Sequence, residues 1–299
     1  MLDLYKNCHL CPRECGADRL NGKVGFCGKT ASLSLARAAL HMWEEPCISG
    51  EEGSGTVFFS GCCLRCIYCQ NREIAIGDSG KTVDDRRLED IFFELQNQGA
   101  NNINLVTPTH YLPHIIQALR SAKAHGLSVP VVYNTSGYEK AETLKLLDGL
   151  VDIYLPDFKY FSSDIGKTYS FAPDYADFAK SAIAEMFRQV GTPVFDDRGI
   201  MKKGVIVRHL VLPGHTEDSK NILRYLYETY GNSIFISIMS QYTPLPAMKD
   251  HPRLSRKITD VEYDEVVDFA VELGIENGFL QDGEAAEESF IPPFDNSGV

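Results

Sequence analysis

Gly53-Ser54-Gly55-Thr56-Val57-Phe58-Phe59-Ser60-Gly61-Cys62-Cys63-Leu64-Arg65-Cys66-Ile67-Tyr68-Cys69 reads as a buried strand that runs through a glycine into a cysteine-rich loop. Residues 56–60 are apolar or β-branched almost throughout, the pattern of a strand covered on both faces. Cys62, Cys66 and Cys69 then follow at CxxxCxxC spacing. A loop this short can set three thiolates on three irons of a [4Fe-4S] cube. The fourth iron is left without a cysteine, an open position of the kind that catalytic metal sites keep. Cys63, Cys66 and Cys69 also read as CxxCxxC, a ferredoxin-like spacing, and a structural zinc knuckle is a third reading. The strand before the loop and the aromatic Tyr68 before the last cysteine favour the first.

Outward from this loop the pattern repeats. Strands are expected at 56–60, 103–107, 129–133, 151–155, 205–212 and 233–238, with helical periods between them. Leu88, Ile91, Phe92 and Leu95 define one helical face, with Thr82 expected as N-cap and Gly99 as stop. Helices ended by Gly126, Gly191, Gly231 and Gly274 follow, the last opened by the capping-box pair Thr259 and Glu262. A short segment lies around Leu144 and Leu147, and residues 195–199 read as the turn of an added hairpin. Six strands alternating with six helices imply an α/β fold with a parallel sheet and right-handed crossovers. An open doubly wound sheet and a barrel both satisfy this pattern. In either, ligands gather at the carboxyl ends of the strands. Those ends carry Cys62, Thr107-Pro108-Thr109-His110, Asn134-Thr135-Ser136, Asp157 with Lys159, Pro213-Gly214-His215, and Ser240-Gln241-Tyr242. Asp157 and Lys159, two apart on a strand, share a face; they read equally as a rim ion pair or as cofactor contacts. His110 and His215 stand at the expected mouth.

The loop resembles that of the radical S-adenosylmethionine superfamily, and further segments resemble the subgroup of pyruvate formate-lyase activating enzymes. These are Gly53–Cys62 leading into the loop, Gln70-Asn71 after it, and Val131-Val132-Tyr133-Asn134-Thr135-Ser136-Gly137-Tyr138. Tyr154-Leu155-Pro156-Asp157-Phe158-Lys159 and Arg208-His209-Leu210-Val211-Leu212-Pro213-Gly214 complete the series. The resemblance spans about residues 33–280 and implies a (β/α)6 partial TIM-like barrel. It implies an oxidoreductase whose cofactors are a [4Fe-4S] cluster on Cys62, Cys66 and Cys69 and S-adenosylmethionine chelated to the open iron. Reductive cleavage of that cofactor would yield a 5′-deoxyadenosyl radical, which abstracts a hydrogen atom, as from a glycine of a partner enzyme. Tyr68, Thr107, Thr109, Asn134, Ser136, Asp157, Lys159 and Arg208 are the implied cofactor contacts, with Tyr68 beside the adenine. The partners implied are a one-electron donor of flavodoxin or ferredoxin type and a protein substrate. The family's Gly-Gly-Glu stretch is replaced here by Thr107-Pro108-Thr109. A radical enzyme acting on a small molecule, and a non-catalytic iron–sulfur electron carrier, are the rival readings; the carrier would not need an open iron.

Residues 1–50 form a separate Cys-rich extension and hairpin, residues 51–281 the barrel, and residues 282–299 an acidic tail expected to be loosely ordered. In the extension, Cys8, Cys11, Cys15 and Cys27 have the spacing of a second metal site, for zinc or an auxiliary iron–sulfur cluster, or they are free thiols. Nine cysteines, all before residue 70, in a chain whose first thirty residues hold no apolar signal core point to a reduced, cytoplasmic setting. The 299 residues carry 29 basic against 41 acidic groups, a net charge of −12, which argues against nucleic acid and anionic membrane as partners.

Overall fold

The computed structural model describes residues 1–77, 79–281 and 292–299. Its strands are β1 (Ser34–His41), β2 (Ser54–Phe59), β3 (Lys81–Thr82), β4 (Ile103–Val106), β5 (Val131–Thr135), β6 (Ile153–Pro156), β7 (Val194–Phe195), β8 (Met201–Leu210), β9 (Phe235–Met239) and β10 (Gly278–Leu280). The helices are α1 (Pro46–Ser49), α2 (Arg72–Ile76), α3 (Asp85–Asn97), α4 (Leu112–Ala124), α5 (Ala141–Leu144), α6 (Ser163–Ser170), α7 (Tyr175–Val190), α8 (Thr216–Tyr230) and α9 (Asp260–Leu273). Neighbouring strands β2-β4-β5-β6-β8-β9 are all parallel. The ring does not close: β2 pairs on its outer edge with antiparallel β1, and β9 with parallel β10. This is the partial barrel of the α/β class.

Burial explains the strand composition. Every residue of β2, β5 and β6 is buried, because helices cover one face and the barrel interior the other. The strand expected at 129–133 begins two residues later. Pro130 has no N–H to donate, although its carbonyl still accepts from Ile103 N–H at 2.9 Å. It then runs on into Asn134 and Thr135, polar residues that an apolar pattern does not include. The α3 N-cap is Asp84, whose side chain accepts from Arg87 N–H at 2.8 Å, rather than Thr82, which lies in β3 and pairs with Ser34 of β1. The capping box at Thr259 and Glu262 is present. Helices α2 and α6 carry too few periodic apolar residues to stand out in the sequence.

Residues 282–291 of the acidic tail lie outside the described residues. Residues 292–299 depart from the expectation of loose order. Asn296 N–H donates to Ala36 O at 3.0 Å and Ala38 N–H to Ser297 O at 2.9 Å, and Asp295 pairs with Arg37 at 2.9 Å. The Phe294 ring meets Phe58 edge-on at 5.4 Å. The chain end thus lies along β1.

One buried group gives the fold a measurable pH signature. In β8, His209 bonds through Nδ1 to Phe158 O at 2.7 Å and through Nε2 to Ser219 Oγ at 2.8 Å. Burial holds its imidazole down to about 4. The unfolded chain takes up that proton near pH 6.5, so this contribution is complete above that pH and is lost as pH falls toward 4. His209→Gln is therefore expected to be less stable than wild type at pH 7.5. The gap should narrow by on the order of 2–3 kcal/mol at pH 4.5, read by denaturant unfolding at both values. A pH-independent gap would mean that His209 titrates normally in the fold.

Candidate functional site

The loop after β2 depends on Gly61, held at φ +95°. A Cβ there would stand 2.8 Å from Cys27 O and 3.0 Å from His110 Nε2. Arg65, at φ +58°, bends the chain again. Between these points Cys62 Sγ accepts from Leu64 N–H at 3.4 Å, and Cys69 N–H donates to Cys66 O at 3.2 Å. The outcome is that Cys62, Cys66 and Cys69 line one cleft of about 250 Å³. Cys63 does not line it: the side chain turns away, toward Tyr138 O at 4.0 Å and the Cys11 thiol. Burial pushes the Cys62 thiol up and Cys69 up to about 12. Three sulfurs face one space, and the raised Cys62 and Cys69 thiols give up their protons when a metal takes their place, so the donor set fits an iron–sulfur cluster.

The opposite wall is built from strand ends. Thr107 follows β4 with φ +58°, its N–H donating to Asn134 O at 2.9 Å. Asn134 in β5 and Ser136 just after it, Asp157 and Lys159 after β6, and Arg208 in β8 extend the lining, with Met239 at the end of β9 and Gln241 and Tyr242 after it. These polar groups form one network. Arg208 donates through Nε to Asp157 Oδ1 (3.0 Å) and through its two terminal nitrogens to Asn134 Oδ1 (2.7 Å) and Glu44 Oε2 (3.2 Å). Lys159 Nζ donates to Asp157 Oδ2 at 2.6 Å. Burial opposes ionisation of Asp157, yet the Lys159 and Arg208 cations hold its carboxyl below the ordinary value. Asp157 and Lys159 are thus an ion pair that also faces the cleft. Gly137, at φ +75°, permits this approach: a Cβ there would collide with Asp157 O.

Tyr68 lines the cleft with its ring packed edge-on against Tyr160, Tyr169 and Tyr242 at 5.9–6.4 Å, and its hydroxyl accepts from Tyr160 at 2.7 Å. Thr109 is turned away from the cleft. Pro108 leads into a 3-10 turn (Thr109–Tyr111) that folds the hydroxyl onto Glu139 Oε1 at 2.5 Å. Thr135 Oγ1 donates to the same oxygen, and burial pushes the Glu139 carboxyl up to about 7. Neither histidine lines the cleft. His110 is buried behind the loop on Ser60 O (2.8 Å), and burial with nearby Arg19 holds it to about 3. His215 sits before α8 on the Tyr169 hydroxyl (2.9 Å), held to about 4 by burial and Arg253.

Glu44 is the residue that sequence reasoning missed. It rises from the turn after β1 at the amino end of the barrel and accepts from Asn104 Nδ2 (3.0 Å) and Asn134 Nδ2 (3.2 Å) besides Arg208. Burial raises its carboxyl, and Arg208 opposes that rise. Its partners lie 60 to 164 positions away in the chain, beyond any local pattern. An available signal was Asn104 itself, a polar residue within the apolar Ile103–Val106 run.

The sequence profile described as "Radical SAM superfamily" matches residues 56–226, more than half of the chain. The uncharacterized protein MJ0674 of Methanocaldococcus jannaschii is 28% identical over 277 residues, covering 90% of this chain and 75% of that protein. Among solved structures, Streptococcus suis SuiB bound to S-adenosylmethionine superposes with a TM-score of 0.52 at 13% identity, over 75% of this chain and 49% of SuiB. The same protein bound to its precursor peptide SuiA gives 0.51 at 13% identity, over 77% and 49%. A radical SAM methyltransferase from Sphaerobacter thermophilus gives 0.52 at 13% identity, over 76% and 66%. The chain spans about half the length of SuiB, and identities this low show likeness of fold alone.

Proposed function

Because this chain belongs to the radical SAM superfamily, we propose that it removes a hydrogen atom from a glycine of a partner enzyme. Its cofactors are a [4Fe-4S] cluster and S-adenosylmethionine. When bound and reduced, the cluster supplies the electron that splits the sulfonium into methionine and a 5′-deoxyadenosyl radical. A one-electron donor of flavodoxin or ferredoxin type supplies that electron in turn.

The reading rests on one observation: three thiols share a cleft with the polar strand ends, while Cys63 leaves it. Cys62, Cys66 and Cys69 would hold three irons, and among the described residues the cleft presents no fourth thiol. Lys159 and Arg208 present cations suited to the methionine carboxylate. Thr107, Asn134 and Ser136 offer hydroxyl and amide groups to the ammonium and the ribose. Asp157, bonded to both cations, keeps them oriented, and Glu44 fixes Arg208 from below. The rings of Tyr160, Tyr169 and Tyr242 hold the Tyr68 ring in place on the cleft wall. SuiB carries a peptide on a similar fold, which supports a peptide glycine as the substrate here, as do the segments that resemble the activating enzymes.

The test starts with anaerobic protein, dithionite and S-adenosylmethionine, which are expected to yield 5′-deoxyadenosine. Extract of cells grown on α-deuterated glycine is then added, split by ultrafiltration. Deuterium in 5′-deoxyadenosine from the protein fraction supports the glycine reading. Label from the filtrate alone, or from neither fraction, would overturn it in favour of a small-molecule substrate.

A further inference from the structure

The first thirty-three residues contain one short 3-10 helix (Leu2–Tyr5) and no strand. Their own apolar cluster consists of Tyr5, Cys8, Leu10 and Ala31 with Leu2 against it. So small a core leaves the segment to be held by its bonds to the barrel, such as Arg13 to Ser170 O and His114 to Ala31 O, and by whatever its cysteines share. It is nevertheless tightly turned. Cys8, Cys11 and Cys27 are buried, Cys15 is exposed, and the sulfurs of Cys15 and Cys27 both stand 3.4 Å from where a Gly25 Cβ would be.

Charge supplies the second observation. Arg19 is 1% exposed in the middle of this segment. Its guanidinium donates to Lys29 O (3.1 Å), Thr30 O (2.9 Å), His110 O (2.8 Å) and Cys8 Sγ (3.6 Å), and lies 4.6 Å from the Tyr5 ring centre. Among the described residues no carboxylate is bonded to it. Arg13 stacks at 4.1 Å on Phe26 and donates to the carbonyls of Cys63 and Leu64 in the barrel's cysteine loop. Arg65 reaches back from that loop to within 5.3 Å of the same Phe26 ring. Neither has an ion-pair partner among the described residues. A guanidinium withdrawn from water costs several kcal/mol unless an anion faces it. The ionisable groups that face Arg19 are Cys27, Tyr5 and Cys8. With Cys8 and Cys27 as neutral thiols and Tyr5 as a neutral phenol, the cation is uncompensated. As four metal-bound thiolates, Cys8, Cys11, Cys15 and Cys27 carry a net charge of about −2 with the metal included, which Arg19 and Arg13 balance.

We propose that Cys8, Cys11, Cys15 and Cys27 hold a second iron–sulfur cluster as thiolates, with Arg19 and Arg13 as its charge-balancing neighbours. The spacing of the groups favours a cluster over one ion. Cys15 and Cys27 close around Gly25, Cys8 lies on Arg19 and the Cys11 thiol reaches Cys63, a spread wider than one zinc ion at about 2.3 Å from each sulfur demands. A cluster spreads its ligands over different irons. The site abuts the barrel loop, since Cys62 N–H donates to Cys27 O at 3.3 Å and the Cys11 and Cys63 thiols meet.

Iron, zinc and acid-labile sulfide are counted on anaerobically reconstituted full-length protein. About eight irons and no zinc per chain are expected. Four irons alone would overturn the second site, and four irons with one zinc would overturn its assignment as a cluster. Cys15→Ser, at an exposed position whose sulfur makes one long contact to Cys8 O (4.0 Å), should fold normally. Because three thiols can still hold a cube, the deciding variant is Cys15→Ser with Cys27→Ser, which should lower the count to about four irons while it still yields 5′-deoxyadenosine. An undiminished count of eight in that variant would overturn the proposed quartet. Cys66→Ala, which removes the barrel cluster, should keep about four irons, and a count near zero in that variant would overturn the second site independently of the barrel reading.

Discussion

Cys66→Ala is expected to yield no detectable 5′-deoxyadenosine and to lose about four irons per chain relative to wild type. The residue is 9% exposed, lies at the back of the cleft beside Leu64 and Tyr68, and offers one of three sulfurs directed into it. Two thiols cannot hold a cube whose third iron then lacks any protein ligand, and Cys63 cannot replace the missing one. Its side chain is committed to the opposite side of the loop, where it meets Cys11 and is fully enclosed. Moving it into the cleft would require reversing the Arg65 bend. Cys63→Ala serves as the control: it should retain the barrel cluster and its product. Equal losses in both variants would mean that the loop uses the CxxCxxC register instead. The measurements are iron content, the visible absorption of the cluster, and chromatographic detection of the nucleoside after dithionite reduction.

Arg208→Met is expected to lower apparent stability by about 3–5 kcal/mol, because it leaves the Glu44 and Asp157 carboxylates enclosed without the cation between them. All three side chains are mostly withdrawn from water, at 17%, 9% and 12% exposure for Arg208, Glu44 and Asp157. Solvent therefore screens the loss only weakly. Glu44→Gln in the same background should restore part of the stability, since the amide can keep its bonds to Asn104 and Asn134 without a charge to compensate. It should not restore S-adenosylmethionine affinity, which in the proposed function depends on the lost cation in the cleft. The two readouts separate the network's structural part from its binding part. Additive effects of the two substitutions on stability would show that Glu44 and Arg208 act independently.

Local signals in this chain were strong wherever the physics was local. The glycine stops after α4, α7 and α8 are present as read, at φ +100°, +67° and +53° for Gly126, Gly191 and Gly231. A residue there must adopt a conformation that only glycine reaches without strain. The parallel strands were legible because burial on both faces demands unbroken apolar runs. Their carboxyl ends were less so. Asn134 and Thr135 extend β5 against the apolar pattern, because their side chains answer to the cleft and to Glu139 rather than to a core. Thr109 illustrates the opposite error: two residues beyond Thr107, it faces a different space once Pro108 starts a 3-10 turn.

The sequence by itself determined the alternation of strands and helices, the three-sulfur loop at the end of β2, and the polar character of the strand ends around it. Each follows from neighbours within a few positions, where spacing translates directly into geometry. Only the tertiary structure decided which side Cys63 takes, that Glu44 enters from beneath the barrel to hold Arg208, and that the N-terminal cysteines pack against the barrel loop around uncompensated arginines. These depend on pairs such as Glu44–Arg208 and Arg13–Ser170, 164 and 157 positions apart, which close only when the sheet curves and its helices pack. Charge balance in a low-dielectric interior is a property of that assembled neighbourhood, and no window along the chain contains it.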